Sequence, residues 1–276
     1  MSLRYASLNS GSNGNCYYVE NEEDAIFIDA GLICKETLRR MHALGLSMQK
    51  VKAIFISHEH SDHVRGLDVI SRNYEIPVYI NVATRKNHTM PLREELVRYI
   101  NNTDPIAIGN LQVHPFSKKH DAADPLSFRI EHKSHSVGVF TDMGIVCENL
   151  IHHFQQCHAA ILESNYDEVM LEKGPYPVYL KKRIRGDEGH LSNNQALELF
   201  LKHKPAFMKH LLLGHLSQQN NHPAIVAQLF KQHAGEVDVM VATRYGSTPL
   251  FSTDEHLNIK KTAPESPVQL NMFDPE

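Results

Sequence analysis

Ser57 to His63 reads SHEHSDH, which sets His58, Glu59, His60, Asp62 and His63 within six positions. Imidazole and carboxylate together suit zinc, manganese or iron, and the absence of cysteine from the cluster argues against a structural zinc finger. The bland alternative is a group of surface polar residues capping a helix. The local context favours a metal. The apolar run VKAIFIS, 51–57, predicts a strand that ends at the cluster, and DHVRGLDVISRN, 62–73, predicts a helix that starts there. Loops at strand ends commonly display site residues. Histidine is also in excess over the whole chain, with 19 copies.

The elements that must position this cluster alternate along the chain. AIFIDAG, 25–31, predicts a buried strand ending in a turn, and LICKETLRRMHALG, 32–45, a helix stopped by Gly45. Further strands are predicted at 77–80, 106–113, 126–131, 137–141, 159–163, 210–214 and 237–242, with helices at 145–157, 193–203 and 223–233. This alternation predicts a layered α/β fold. The chain has 276 residues, 42% hydrophobic and 22% charged, enough for a full core without disulfides. Cys16, Cys34, Cys147 and Cys157 show no C-x-x-C spacing, which fits reduced thiols in the cytoplasm. No apolar run reaches membrane-spanning length, and the N-terminus lacks the apolar core of a signal peptide. A net charge of −4 excludes a basic nucleic-acid binder, so any such contact needs a local positive site. After about residue 252 the pattern stops. A domain over 1–252 followed by a flexible tail over 253–276 is expected.

His58-x-His60-x-Asp62-His63-x-x-Gly66 resembles the signature of the metallo-β-lactamase superfamily. The resemblance covers roughly residues 1–245. It implies an α/β fold of four layers, an αββα sandwich, with metals at one edge, and it implies further ligands downstream. His120 in FSKKHDAADP, Asp142 in VFTDMG and His215 in LLLGHLS follow in the expected order, each at the end of an apolar run. By that resemblance His58, His60 and His120 hold one divalent ion, Asp62, His63 and His215 hold a second, and Asp142 bridges them. Asp29, in IDAG, is implied to brace the metal loop. Two such cations clamp the oxygens of an in-line displacement. Without them Asp62 and Asp142 repel, so the metal-free protein is expected to be less stable. His114, in LQVHPF, rivals His120, but it lies where a strand should still be running and is taken as structural.

The superfamily includes lactamases, thiolester hydrolases, lactonases, flavoproteins and nucleases, and the fold alone does not choose among them. AAILESN brings Glu163 to a strand end, and His190 stands just before Ser192, a good N-cap for the helix at 193–203. A helix N-terminus favours anions such as phosphate. The pair resembles the Glu and His-x-Thr/Ser elements of the phosphodiesterase branch that includes tRNase Z. There the Glu orients the His, and the His acts on the scissile phosphate or leaving group. The match is partial: tRNase Z reads His-Glu-Ala-Thr where this chain reads Leu162-Glu163-Ser164-Asn165. The alternative is that Glu163 merely ends a strand and His190 is a loop residue. Lys181, Lys182, Arg183 and Arg185 form a basic run just before His190. Phosphate contact by Lys182, Arg183, Arg185 and Ser192 is one reading, and a solvated helical face is the other.

Only 21 residues lie between His120 and Asp142, little room for the tRNA-binding arm of tRNase Z. The 72 between Asp142 and His215 are too few for the inserted domain of RNase J-like enzymes, and the tail is too short for the helical domain of glyoxalase II. LNSGSNGNCYYVE (8–20), KKHDAADPLSF (118–128) and ESNYDEVMLEKGPYPVYLKKRIRGDEGHLSN (163–193) closely resemble the YycJ/WalJ-like proteins. That resemblance implies a DNA exonuclease acting from the 5′ end, with Asp62, Glu163 and His190 as its catalytic groups. QLNMF, with Gln269, Leu270, Met272 and Phe273, resembles the bacterial sliding-clamp-binding peptide. A chance apolar pentamer folding back on the domain is the alternative. Two other functions remain in view: a small-molecule hydrolase of lactonase or thiolesterase type, and a non-catalytic clamp-bound scaffold.

Overall fold

The apolar runs of the chain are buried on both faces, and this decides the architecture. In Ala159–Glu163, Ala159 and Ile161 pack into one hydrophobic cluster while Ala160 and Leu162 pack into another. Ala25–Ile28 divides likewise, Ile26 and Ile28 to one side and Ala25 and Phe27 to the other. A strand that is apolar on both faces must be sandwiched, and helices cover the outer side. The computed structural model describes residues 2–87 and 91–254.

Two mixed sheets of seven strands result. The first half of the chain supplies β1 (Arg4–Asn9), β2 (Cys16–Glu20), β3 (Ala25–Ile28), β4 (Val51–Phe55), β5 (Val78–Ile80) and β6 (Val97–Tyr99). The second half supplies β7 (Ile106–Ile108), β8 (Leu111–Ser117), β9 (Leu126–His132), β10 (His135–Phe140), β11 (Ala159–Glu163), β12 (His210–Gly214) and β13 (Asp238–Val241). β14 (Phe251–Ser252) returns to the first sheet beside β1. Hairpin-type antiparallel pairs open each sheet, and parallel pairs with helical crossovers close it.

Between the sheets lies the central core, where Phe55 stacks on Tyr79 at 4.6 Å and meets Phe128 of the other sheet edge-on at 5.6 Å. α1 (Cys34–Ala43), α2 (Ser61–Val64), α3 (Leu67–Tyr74) and α4 (Val82–Asn87) belong to the first half. Met41, Leu67 and Ile70 cover the outer face of its sheet. α5 (Glu148–Phe154), α6 (Glu168–Lys173), α7 (Val178–Arg185), α8 (Asn193–His203) and α9 (Pro223–Lys231) belong to the second. Leu150, Phe154, Leu197, Phe200, Val226 and Phe230 cover its outer face. The layers are therefore αββα, as expected.

Three expectations need correction. The strand predicted over 106–113 is a hairpin, because Gly109 at φ +54 turns the chain between β7 and β8. The helix predicted over 62–73 is broken into α2 and α3 at Gly66, whose N–H donates to Ala30 O instead of continuing the helix. Thr253, expected in the tail, is buried. Its N–H donates to Leu3 O at 2.9 Å, and Leu3 N–H donates to its Oγ1 at 3.1 Å. The peptide from Gln269 to Phe273 lies outside the described residues.

Candidate metal centre

Strand ends from both sheets meet at one edge of the sandwich. Asp29 follows β3, His58 and His60 follow β4, and Asp62 and His63 lie on α2. His120 lies beyond β8, Asp142 and His215 follow β10 and β12, and Glu163 ends β11. Asp29, Asp142 and His215 have φ of +61, +55 and +54, a left-handed conformation that side chains other than glycine seldom adopt. Long-range contacts hold two of them there: Asp29 N–H donates to Phe55 O at 2.8 Å, and His215 N–H to Ser10 Oγ at 2.7 Å. Gly31 cannot be larger, because a Cβ there would lie 1.7 Å from Asp62 O. The tight approach seats the cluster loop on the turn after β3.

The imidazoles are anchored by their Nδ1 atoms. His63 Nδ1 donates to Asp29 Oδ2 at 2.7 Å, and His215 Nδ1 donates to Glu163 Oε1 at 2.8 Å. His120 Nδ1 donates to Gly189 O at 3.0 Å. Ser57 Oγ gives its proton to Asp29 Oδ2, so it accepts from His58 Nδ1 at 2.9 Å. Each anchor fixes the ring and turns Nε2 toward the other rings, the arrangement that orients a metal-binding histidine. His60 is set differently, with its Nδ1 3.0 Å from His58 Nε2.

The bare atoms converge. His120 Nε2, His215 Nε2 and Asp142 Oδ2 are buried without a hydrogen-bond partner among the described residues. Such orphans are costly unless something else satisfies them. Donor atoms of His58, His60 and His120 lie within 4.8 Å of one another, as do those of Asp62, His63 and His215. Asp142 joins His58 and His63 within the same limit, so it stands between the two groups. The donor set fits divalent cations: neutral imidazoles on one side, carboxylates at the centre. Burial lowers the His120 ring to about 4 against the pull of Asp142, and burial also keeps His58 well below the usual histidine range. Burial pushes the Asp142 carboxyl up, but the charges of His215, His63 and Lys118 outweigh it and hold the group ionised. Burial opposes a charge on His215 as well, yet Asp142, Asp62 and Glu163 raise it, so the site demands positive charge.

Glu163 extends the cluster outward. Its Oε1 accepts from His215 and also from His190 Nδ1 at 2.8 Å, and its Oε2 accepts from Met143 N at 2.8 Å and Leu191 N at 3.1 Å. Burial raises the Glu163 carboxyl, but His190 and His215 hold it down to about 2. His190 is 22% exposed and lines a cleft of about 270 Å³ with Tyr176, Arg183 and His215.

The structure does not deliver all the expected substrate contacts. Ser192 is fully buried: its Oγ caps α8 by accepting from Gln195 N and donates to Glu168, so it presents nothing to the cleft. Arg185 is paired with Glu172, and Arg183, though it lines the cleft, is paired with Asp121. Lys182 is exposed on α7. His114 stays in β8, 3.3 Å from Glu131 and apart from the centre.

Sequence reasoning missed two residues. Asn15 places its amide nitrogen 3.0 Å from His63 Nε2 and 3.2 Å from Asp62 Oδ2, and its N–H donates to Asp62 O. Its only local signal is the glycine-flanked loop that carries it. Lys118 is buried beside Asp142 and donates to Thr141 O at 2.6 Å, a position that two adjacent lysines in sequence do not distinguish.

Residues 25–215 match the family model described as "Beta-lactamase superfamily domain". The chain belongs to the metallo-β-lactamase superfamily. Within it, Exodeoxyribonuclease YycJ of Bacillus anthracis is 34% identical over 226 residues, covering 80% of this chain and 85% of that protein. Exodeoxyribonuclease WalJ of Streptococcus pneumoniae is 30% identical over 249 residues, covering 84% and 90%. Among solved structures, the metallo-β-lactamase-fold protein YhfI from Bacillus subtilis superimposes with a TM-score of 0.71. It shares 15% identity and covers 91% of this chain and 99% of its own, a likeness of fold. No helix among the described residues is long and apolar enough to cross a membrane.

Proposed function

We propose that the chain is a divalent-metal-dependent phosphodiester hydrolase that removes nucleotides from the 5′ end of DNA. The observation that carries this reading is Glu163 Oε1, shared at 2.8 Å between buried His215 and cleft-facing His190. Hydrolysis of a carbonyl substrate needs only the buried cluster. A histidine held at its edge by the same carboxylate suits a second task, protonating a departing oxygen. The relatives named exodeoxyribonucleases support the choice of substrate.

In this reading His58, His60 and His120 hold one cation, Asp62, His63 and His215 hold the other, and Asp142 lies between them. Zinc, manganese and iron all suit these donors. Bound there, the cations would polarise a phosphoryl oxygen and make water a stronger nucleophile at neutral pH. The protein's own groups do the rest. Asp29 and Glu163 fix the rings of His63 and His215 so that each presents Nε2 inward. Glu163 also holds His190 by Nδ1, which leaves its Nε2 to give a proton to the leaving oxygen. Asp62 accepts the Asn15 amide at 3.2 Å and is thereby held facing the cluster. All four cysteines are free, which supports a reducing compartment such as the cytoplasm.

Digestion of end-labelled double-stranded DNA, single-stranded DNA and RNA, with Mn²⁺ or Zn²⁺ and with Asp142→Ala as control, tests the proposal. Shortening of DNA from the 5′ end that is lost in Asp142→Ala is expected. Metal-loaded protein that cleaves no nucleic acid overturns it. The peptide from Gln269 to Phe273 extends the reading to a sliding-clamp partner. A labelled peptide spanning 264–276 should bind purified clamp by fluorescence anisotropy, and no binding at high micromolar clamp removes that partner.

A further inference from the structure

The cleft at His190 and His215 shares a wall with a second, larger cavity. Leu216 and Ser217 line both, and the second, of about 460 Å³, continues past His222 and Thr243 to Arg244 and Tyr245. Its lining is mainly apolar, with polar groups at the rim. Because Leu216 directly follows His215, whatever occupies this cavity sits beside the cluster.

Two residues at its rim have no role in the account so far. Arg244 is half-buried and is tied down, donating to Leu216 O at 2.6 Å and to Gln218 Oε1 at 3.1 Å. Among the described residues it has no carboxylate partner, whereas Arg183 across the cleft is neutralised by Asp121. A fixed guanidinium without a counter-charge is suited to a phosphate. Tyr245 beside it is 74% exposed, a large aromatic face with little to cover it. Asn13 donates to Arg244 O at 2.8 Å, which secures this corner to the loop that also carries Asn15. An exposed ring beside an unpaired cation, next to a hydrolytic centre, is the combination used to hold single-stranded nucleic acid. The base stacks on the aromatic ring there, and the cation tracks the backbone.

We infer that this cavity is a nucleobase site, in which the base next to the scissile phosphate stacks on Tyr245 while Arg244 meets that nucleotide's phosphate. The inference rests on the nuclease reading and deepens it. A base inside a duplex cannot enter the cavity, so the substrate is a single-stranded or frayed end.

The test compares two oligonucleotides with the metal-loaded enzyme, one with a normal base at the terminal positions and one abasic there. Wild-type enzyme is expected to prefer the base-bearing strand by about tenfold in kcat/KM, the lower range of a stacked base. Tyr245→Ala should erase that preference through KM, and Tyr245→Phe, which keeps the ring, should retain it. Arg244→Gln should raise KM for both strands and flatten the salt dependence. Equal discrimination by wild type and Tyr245→Ala overturns the base site and leaves the nuclease reading intact. Failure of the wild type to cleave either strand removes both.

Discussion

The two halves of the sandwich each end a strand in a buried carboxylate that holds a histidine by Nδ1. In the first half Asp29 holds His63 at 2.7 Å, and in the second Glu163 holds His215 at 2.8 Å. Both rings turn Nε2 toward Asp142, at 3.3 and 3.5 Å. The halves differ in how the carboxylate's remaining capacity is used. Asp29 accepts from Ser57 N and Ser57 Oγ, both at 2.8 Å, so its contacts stay inside the loop. Glu163 accepts from His190, which faces the cleft. One device closes on itself and secures the fold of the cluster loop. The other is left open by one histidine, and that opening is where the proposed reading sets the substrate chemistry.

Breaking the closed half should have the largest effect. Asp29→Asn leaves His63 and Ser57 without their charged acceptor in a fully buried place, and a loss of about 3–5 kcal/mol is expected in a urea melt. Metal affinity should fall about 10–100-fold, the usual cost of losing a carboxylate behind a ligating histidine. Breaking the open half should act on rate. Glu163→Gln and His190→Ala should lower kcat by about 10²–10⁴, the range of a general acid, and His190→Ala should leave the melting temperature in place. If both halves lose stability equally, the contrast between them fails.

Chelation sharpens the comparison from the ligand side. The orphaned atoms of Asp142, His120 and His215 should make the metal-free protein melt earlier in calorimetry. The difference should be about 3 kcal/mol for ions present at a hundredfold their dissociation constant. An unchanged melting temperature contradicts the reading of those atoms as ligands. The smallest effect is expected on α1, away from the metal cluster. Arg39 and Arg40 hold the Glu36 carboxyl down from 4.5 to about 2. Because the folded value is depressed, this pair's contribution is complete above pH 4.5 and disappears as pH falls toward 2. Glu36→Gln should cost about 0.5 kcal/mol at pH 7, a solvent-screened value, and less at pH 3, with kcat unaltered.

The contrast also explains what the sequence could and could not reveal. SHEHSDH is local, and its chemistry is dense enough to read at once. Asp142, Glu163 and His215 stand at the ends of apolar runs and His120 three residues beyond one, and it is the resemblance to the superfamily and its phosphodiesterase branch that singles them out. The basic run on α7 misled because charge counts omit partners: Glu172 and Asp121 neutralise Arg185 and Arg183 from other elements. Ser192 misled for a related reason, since a good N-cap spends its hydroxyl on the helix it starts. Asn15 and Arg244 were silent because each acts through a contact made by folding, Asn15 with Asp62 and Arg244 with Leu216. No pattern in either neighbourhood announces such contacts.

The most direct test of the open-half account is metal content measured on the same His190→Ala sample whose turnover on DNA is measured. The account predicts the wild-type complement of divalent metal with kcat reduced about a hundredfold or more. A His190→Ala protein that has lost its metal, or one that keeps full turnover, would contradict it.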